Sequence, residues 1–196
     1  MPFNSKFLKQ KYKKHDLDIK KLVVEVLPGL VERLSMDSRV DRIDIFSDLS
    51  FSQILGLSSK IRIIRSNTEQ ITVAERVIFS YIEATKCEEK TLVIYNPLFP
   101  FVSNEKIDFL YKRVRGGEVN SAIGSYSSEK ALQKQELHAV NDPGIISVID
   151  VKEFVKTGVR LVAPADTLSL SALELVSLRS EEDYELYDLI VNSGLV

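Results

Sequence analysis

Lysine is the chemically distinctive residue type in this chain of 196 residues, because seven lysines fall within residues 1–21. Only two acidic residues share that segment. Ammonium groups at this density attract phosphate as point charges, so Lys6, Lys13 and Lys14 are candidate phosphate contacts. A mobile, solvated arm is the alternative, and for a single run of charge the sequence alone favours it.

The residue types that carry nucleophilic or metal chemistry are scarce. His15, His138 and Cys87 are the only imidazoles and the only thiol, too few for a four-ligand Cys/His zinc site. Neither histidine has a serine, cysteine or aspartate at a spacing typical of a catalytic triad. Cys87 precedes two glutamates, an acidic setting that argues against a reactive thiol. Glycine-rich phosphate motifs, HExxH and GxSxG are also lacking, so no catalytic residue is assigned.

Composition places the chain among globular proteins. Hydrophobic residues make up 44% and charged residues 28%, and 26 lysines and arginines against 28 acids give a net charge of −2. This balance argues against a specific nucleic-acid binder. No apolar run reaches the ~18–20 residues needed to span a bilayer, and a single cysteine suits a reducing, cytoplasmic setting. The length favours one domain: we expect a basic amino-terminal arm at 1–21 and one α/β domain at 22–196.

Apolar strand-like runs alternate with amphipathic helical periods along the chain. Strands are predicted at Arg42–Phe46, Lys60–Ile64, Leu92–Tyr95, Ala122–Ser125, Ile145–Ile149 and Leu175–Leu178. Helices are predicted at Leu22–Met36 (beginning or kinked near Leu27), Ser50–Leu57, Thr72–Thr85, from Asn104 to Gly116, Val151–Thr157 and Glu181–Val191, with Ser127–His138 an exposed helix or a loop. Such alternation is typical of βαβ crossovers and of a mostly parallel sheet covered on both faces.

The order of several segments resembles the acylneuraminate and related sugar-acid cytidylyltransferases. Asp41–Asp48, DRIDIFSD, is similar to the second strand of that family, and Thr91–Pro100, TLVIYNPLFP, is similar to its strand and proline-containing turn. Ser103–Asp108 resembles the helix start that follows. Later matches keep the same order at Val119–Gly124, Pro143–Ser147 and Ser177–Leu186.

The resemblance implies a three-layer α/β/α Rossmann-like sandwich of the nucleotide-diphospho-sugar transferase type, with a mostly parallel sheet. Members of the family transfer CMP from CTP to an acidic sugar with magnesium, so a nucleotide or nucleotide-sugar is the expected partner. A homodimer is common in the family. Here it stays open, because the segment between Gly124 and Asn141, where the partner-crossing arm usually lies, is short.

The departures from the family pattern fall on the chemistry. The family's phosphate loop contains glycines, whereas Phe3–Lys6 contains none, and glycines let backbone N–H groups approach an anion. Ser177 and Arg179 stand where the family has its paired metal-binding aspartates, and a guanidinium repels magnesium. The family glutamine before the proline turn becomes Asn96. If that alignment is wrong, the nearby Asp166, Glu174 and Asp183 are the first replacement metal ligands to test.

These comparisons of residues give a functional hypothesis. The resemblance implies nucleotide contacts at Lys6, Lys13, Lys14, Asp48 and Asn96, sugar or anion contacts at Ser177 and Arg179, and no metal ligands, with magnesium expected only if the chain is active. We expect a cytidylyltransferase-like protein of sugar activation and glycan biosynthesis with reduced or lost catalysis. The alternatives are a non-catalytic descendant that binds a nucleotide-sugar or a partner, and an unrelated α/β binding domain.

The sequence also predicts where these residues meet. In open α/β sheets the ligand crevice lies outside the carboxyl ends of the strands. Asp48, Asn96 and Ser177 each follow or end a predicted strand, so we expect them at one edge of the sheet.

Overall fold

Residues 2–3, 21–47, 54, 56–65, 74–125 and 145–194 are described by the computed structural model. The strands in these ranges are β1 (Pro2–Phe3), β2 (Ile43–Ser47), β3 (Ile61–Arg65), β4 (Thr91–Tyr95), β5 (Ser121–Ser125), β6 (Ile146–Asp150) and β7 (Ala165–Ser169). The helices are α1 (Leu27–Met36), preceded by a π-helical segment at Leu22–Val26, α2 (Ala74–Thr85), α3 (Asn104–Arg115), α4 (Val151–Thr157) and α5 (Glu181–Asn192). None of the described helices is long and apolar enough to cross a membrane.

The strands form two ladders. One is parallel, in the order β1-β2-β3, and the other runs β4-β6-β5-β7. In the second, β5 and β7 are parallel while β6 is antiparallel to both β4 and β5. The direction of β6 is not visible in the sequence, because a buried strand has the same apolar pattern whichever way it runs.

Two helical layers cover the strands. Alternate strand residues point to opposite faces, and on one face Ile43 and Ile45 of β2 share a buried cluster with α1, α3 and Tyr184 of α5. On the other face Phe46 packs with Val77 and Tyr81 of α2, and Phe154 of α4 packs in a neighbouring cluster. This is the predicted three-layer α/β/α sandwich.

Helix α1 shows how local sequence sets this packing. The predicted stripe Leu27, Leu30, Val31 and Leu34 is buried. Pro28 is the second residue of α1 and has no backbone N–H to donate to the π-helical turn that precedes it. The backbone changes from π to α geometry at Leu27, the residue at which the sequence predicts a start or a kink.

One predicted strand is wrong. Leu175–Leu178 is not a strand: residues 172–175 form turns, and 176–179 have no regular structure. The segment is apolar because it is buried, although it pairs with no strand. Leu178 is fully buried, and its N–H donates a hydrogen bond to the Leu98 carbonyl, which lies in a turn. The last described strand is β7, which pairs with β5 and was missed. The other predicted strands agree with the structure to within one residue at each end.

Candidate functional site

A tight turn follows β4 and carries Asn96. The Asn96 Oδ1 accepts a hydrogen bond from the Leu98 N–H at 3.1 Å, and the Phe99 N–H donates to the Asn96 carbonyl at 3.1 Å. Asparagine favours this local geometry because its short side chain reaches the backbone two residues on. Asn96 is 9% exposed, and its Oδ1 is bound within the turn.

The segment that carries Ser177 and Arg179 docks on this turn. The Leu178 N–H donates to the Leu98 carbonyl at 2.9 Å, and the Arg179 guanidinium carbon lies 5.8 Å from the centroid of the Phe99 ring, within the range of a cation–π contact. The segment that carries Ser177 and Arg179 therefore lies beside the turn that carries Asn96, although it does not reach it as the end of a strand. We call these three residues the candidate site. Lys6, Lys13, Lys14 and Asp48 lie outside the described residues.

Glu174 fixes the segment that leads to Ser177 against the start of α3. This carboxylate is 5% exposed and accepts hydrogen bonds from the Ser103 N–H, the Ser171 N–H and the Ser171 hydroxyl at 3.1, 2.8 and 2.9 Å. Lys106 completes the set with an ion pair. Burial alone would raise the pKa of Glu174, but the Lys106, Ser171 and Ser103 hydrogen bonds outweigh it and lower the pKa to about 2. The ionised Glu174 thus ties the segment after β7 to the start of α3.

A second tie comes from α1. Arg33 donates to the carbonyls of Val102 and Pro100 at 2.9 and 3.0 Å and to the Asn104 Oδ1 at 3.2 Å. These three bonds fix the chain between the Asn96 turn and α3. The candidate site is therefore positioned by side chains from α1 and from the segment after β7, both distant in sequence from the turn.

The described residues around the candidate site do not fit magnesium. Of the replacement acids, Asp166 pairs with the Arg113 Nε at 2.7 Å. Asp183 accepts the backbone N–H groups of Arg179 and Ser180, both at 2.8 Å, and Glu174 is bound as above. Among the residues that the structure describes, no three His, Cys, Asp or Glu side chains converge as a metal site. The fixed positive charge of the Arg179 guanidinium would also repel a cation beside it.

A buried polar network that sequence reasoning missed lies on β2. The Asp44 carboxylate is 8% exposed and accepts from Arg62 Nε at 2.9 Å, Tyr81 Oη at 2.6 Å and Arg42 Nε at 3.1 Å. Burial works to raise the pKa of Asp44, but hydrogen bonds from Arg62 and Tyr81 and the arginine charges keep it below its usual value. The signal in the sequence is the I-D-I pattern of β2 opposite I-R-I of β3, which places Asp44 beside Arg62.

Comparisons with known proteins identify the fold. No family model matches the sequence, and no curated protein matches it. Among solved structures, the chain is similar to the 4-diphosphocytidyl-2C-methyl-D-erythritol synthase of Anaerococcus prevotii DSM 20548, with a TM-score of 0.57 and 12% identity over 87% of this chain and 89% of that one. The chain has the nucleotide-diphospho-sugar transferase fold.

A second solved structure is the molybdopterin-guanine dinucleotide biosynthesis protein A of Archaeoglobus fulgidus, with a TM-score of 0.46 and 12% identity over 76% of this chain and 78% of that one. At 12% identity the likeness to the Anaerococcus prevotii structure establishes the fold alone, and the narrower resemblance to sugar-acid cytidylyltransferases stays a hypothesis.

Proposed function

We propose that the chain is a cytidylyltransferase-like protein that binds a nucleotide or nucleotide-sugar at the candidate site, with nucleotidyl transfer reduced or lost. The observation that carries this proposal is the docking of the Ser177–Arg179 segment on the Asn96 turn through the Leu178–Leu98 bond. It brings the segment that carries Ser177 and Arg179 to the turn that carries Asn96, in a fold shared with a 4-diphosphocytidyl-2C-methyl-D-erythritol synthase.

The proposed ligand carries an anionic group. A guanidinium offers several N–H donors in a planar fork, which matches the oxygens of a phosphate or carboxylate. Two contacts position Arg179. Its backbone N–H donates a hydrogen bond to the Asp183 carboxylate, and its guanidinium lies over the Phe99 ring. Lys6, Lys13 and Lys14 remain proposed as further phosphate contacts, and Asp48 as a further nucleotide contact.

Reduced or lost transfer follows from the same residues. Phosphoryl and nucleotidyl transfer accumulate charge on the phosphate oxygens, and metal ions with fixed donors normally neutralise it. Of the three replacement acids named from the sequence, Asp166 is paired with Arg113, Glu174 with Lys106, and Asp183 with backbone N–H groups at the start of α5. Arg179 can supply part of the charge for binding an anion, but it cannot hold the metal that the transfer uses.

Isothermal titration with CTP, CMP, UTP and a CMP-sugar tests the proposal, each with chelator and with magnesium. We expect binding that survives the chelator. Arg179→Ala should weaken it by about 10- to 100-fold, since a hydrogen bond to a charged group contributes about 1.5–3 kcal/mol, and Arg179→Lys should fall between. Lys152→Ala is the control. It removes an exposed cation from α4, which lies in the helical layer opposite to α1 and α3. Equal affinity of Arg179→Ala and the parent chain, or no binding of any of the four ligands, would contradict the proposal.

A further inference from the structure

Four hydrogen-bond donors converge between the start of α3 and the segment that follows β7. They are the Ser103 N–H, the Lys106 ammonium, and the N–H and hydroxyl groups of Ser171. Two come from each side, so the fold brings them together rather than a local motif. We call these donors the anion cradle, because a cation, backbone N–H groups and a hydroxyl are the groups with which proteins bind carboxylates and phosphates.

The anion cradle is filled by a side chain of the same chain. Of the two Glu174 carboxylate oxygens, Oε1 accepts from Ser103, and Oε2 accepts from Ser171 and Lys106. The Lys106 ammonium also donates to the Ser169 carbonyl at 3.1 Å, which keeps it directed toward this point. The Glu174 side chain is only 6% exposed, so water has little access to the carboxylate. Removing the carboxylate would leave the donors around it without their acceptor, which is costly where groups are buried.

Glu174 is the first of three fixed points on the segment that carries Ser177 and Arg179. The second is the N–H of residue 178, which is bonded to the turn that carries Asn96. The third is the Arg179 N–H, which is bonded to the start of α5. The partners of Glu174 include the start of α3, a few residues after the Asn96 turn. Glu174 therefore fixes where this segment lies relative to that turn.

We propose that Glu174 is a positioning residue for anion binding: its carboxylate fills the anion cradle and thereby places Ser177 and Arg179 beside the Asn96 turn. This inference rests on the proposed function, since Arg179 is taken to contact the anionic group of the ligand. Glu174 itself contacts no ligand and acts through the backbone of residues 174–179. Acetate matches the part of the Glu174 side chain beyond Cβ, one carbon and the carboxylate, so acetate is the probe of the cradle.

The experiment compares Glu174→Ala, which empties the anion cradle, with Glu174→Gln, which fills it with a neutral amide. Each variant is titrated with CTP and chelator at a temperature at which circular dichroism shows it folded. We expect both to bind CTP about 5-fold or more weakly than the parent chain, because full loss of a hydrogen bond to a charged group costs about 10- to 100-fold and a misplaced guanidinium loses part of that. Glu118→Ala, which removes an exposed carboxylate at the far end of α3, should bind as the parent does.

Acetate separates positioning from a general packing defect. About 100 mM acetate, compared with sodium chloride of equal ionic strength, should restore much of the CTP affinity of Glu174→Ala. Without nucleotide, and for a Kd of about 10 mM, it should also raise the Tm of Glu174→Ala by about 3–6 °C. The parent chain and Glu174→Gln should show neither response, because their cradles are already filled.

The proposal is overturned if Glu174→Ala and Glu174→Gln bind CTP as tightly as the parent chain, or if acetate raises the Tm of both variants equally. If Glu174→Ala does not fold, the affinity of Glu174→Gln decides alone, and parent-like binding overturns the proposal. If the parent chain binds none of CTP, CMP, UTP and the CMP-sugar, the proposed function fails and the positioning role fails with it. The Tm response to acetate needs no nucleotide, so it still shows in that case whether the cradle binds an anion.

Discussion

Replacing Glu174 by glutamine tests how the candidate site is held. The carboxylate accepts four hydrogen bonds from Ser103, Ser171 and Lys106. Glutamine keeps the shape but offers one acceptor oxygen in place of two and turns an N–H₂ group toward the donors. Since the side chain is only 6% exposed, water cannot replace the lost acceptor, and the lysine ammonium loses its counter-charge.

The pKa gives the magnitude. A carboxyl held at a pKa of about 2, against 4.5 for an unperturbed glutamate, stabilises the folded state by about 3 kcal/mol at neutral pH, because each pKa unit corresponds to about 1.4 kcal/mol. The loss of one partner from a buried ion pair costs a similar amount. For this chain length, Glu174→Gln should therefore lower the Tm by about 6–12 °C.

The pH dependence separates this explanation from a general packing defect. Because the folded-state pKa of Glu174 is depressed, its stabilisation is complete above about pH 4.5 and is lost as the pH falls toward about 2. Urea unfolding of both proteins from pH 7 to pH 3 should show a constant difference that shrinks below pH 4.5. Glu118→Gln, at an exposed ion pair with Arg113, should change stability by about 0.5 kcal/mol or less. A difference for Glu174→Gln that is under about 1 kcal/mol at pH 7, or that does not shrink in acid, would refute the reasoning.

Three other substitutions test the packing around the sheet. Asp44→Asn should lower the free energy of unfolding in urea by about 1–3 kcal/mol, because the buried Asp44 carboxylate accepts from Tyr81 and from the partly exposed Arg42 and Arg62; a loss below about 1 kcal/mol would show that the network is solvent-screened. Ser180→Ala removes the helix cap that accepts a hydrogen bond from the Asp183 N–H and should lower the free energy of unfolding by about 1 kcal/mol. An unchanged free energy of unfolding would show that α5 is frayed at that end. Gly124→Ala should cost about 1–3 kcal/mol, since its Cβ would lie 2.6 Å from Ile146 Cγ2, and an unchanged Tm would contradict that close approach.

Sequence reasoning succeeds here where one local signal decides the structure. The buried runs of β2 and β4 place the strands to within a residue. Helix α4 begins and ends as predicted, because Asp150 caps it and Gly158 adopts the left-handed conformation, with φ of 71°, that glycine tolerates best.

It fails where distant contacts decide. Leu175–Leu178 has the composition of a strand, yet its partner is a turn about 80 residues earlier in the chain. β7 contains an aspartate and a threonine and is only half-buried, so its apolar signal is weak, and its pairing with β5 defines it. The role of Glu174 depends on Ser103 and Lys106, which no spacing rule connects to it.

Pyrophosphate release is the measurement that most directly tests the claim of nucleotide binding without metal-dependent transfer. The parent chain is incubated with a panel of 2-keto sugar acids and with CTP at a concentration that saturates the binding seen by titration. Each mixture is tested with magnesium, with manganese and with chelator. The account predicts release at the level of the chelator control for every sugar acid and metal. Clear metal-dependent release that Asn96→Ala abolishes would contradict it, and would show that acids other than those bound to Lys106, Arg113 and the start of α5 hold the metal.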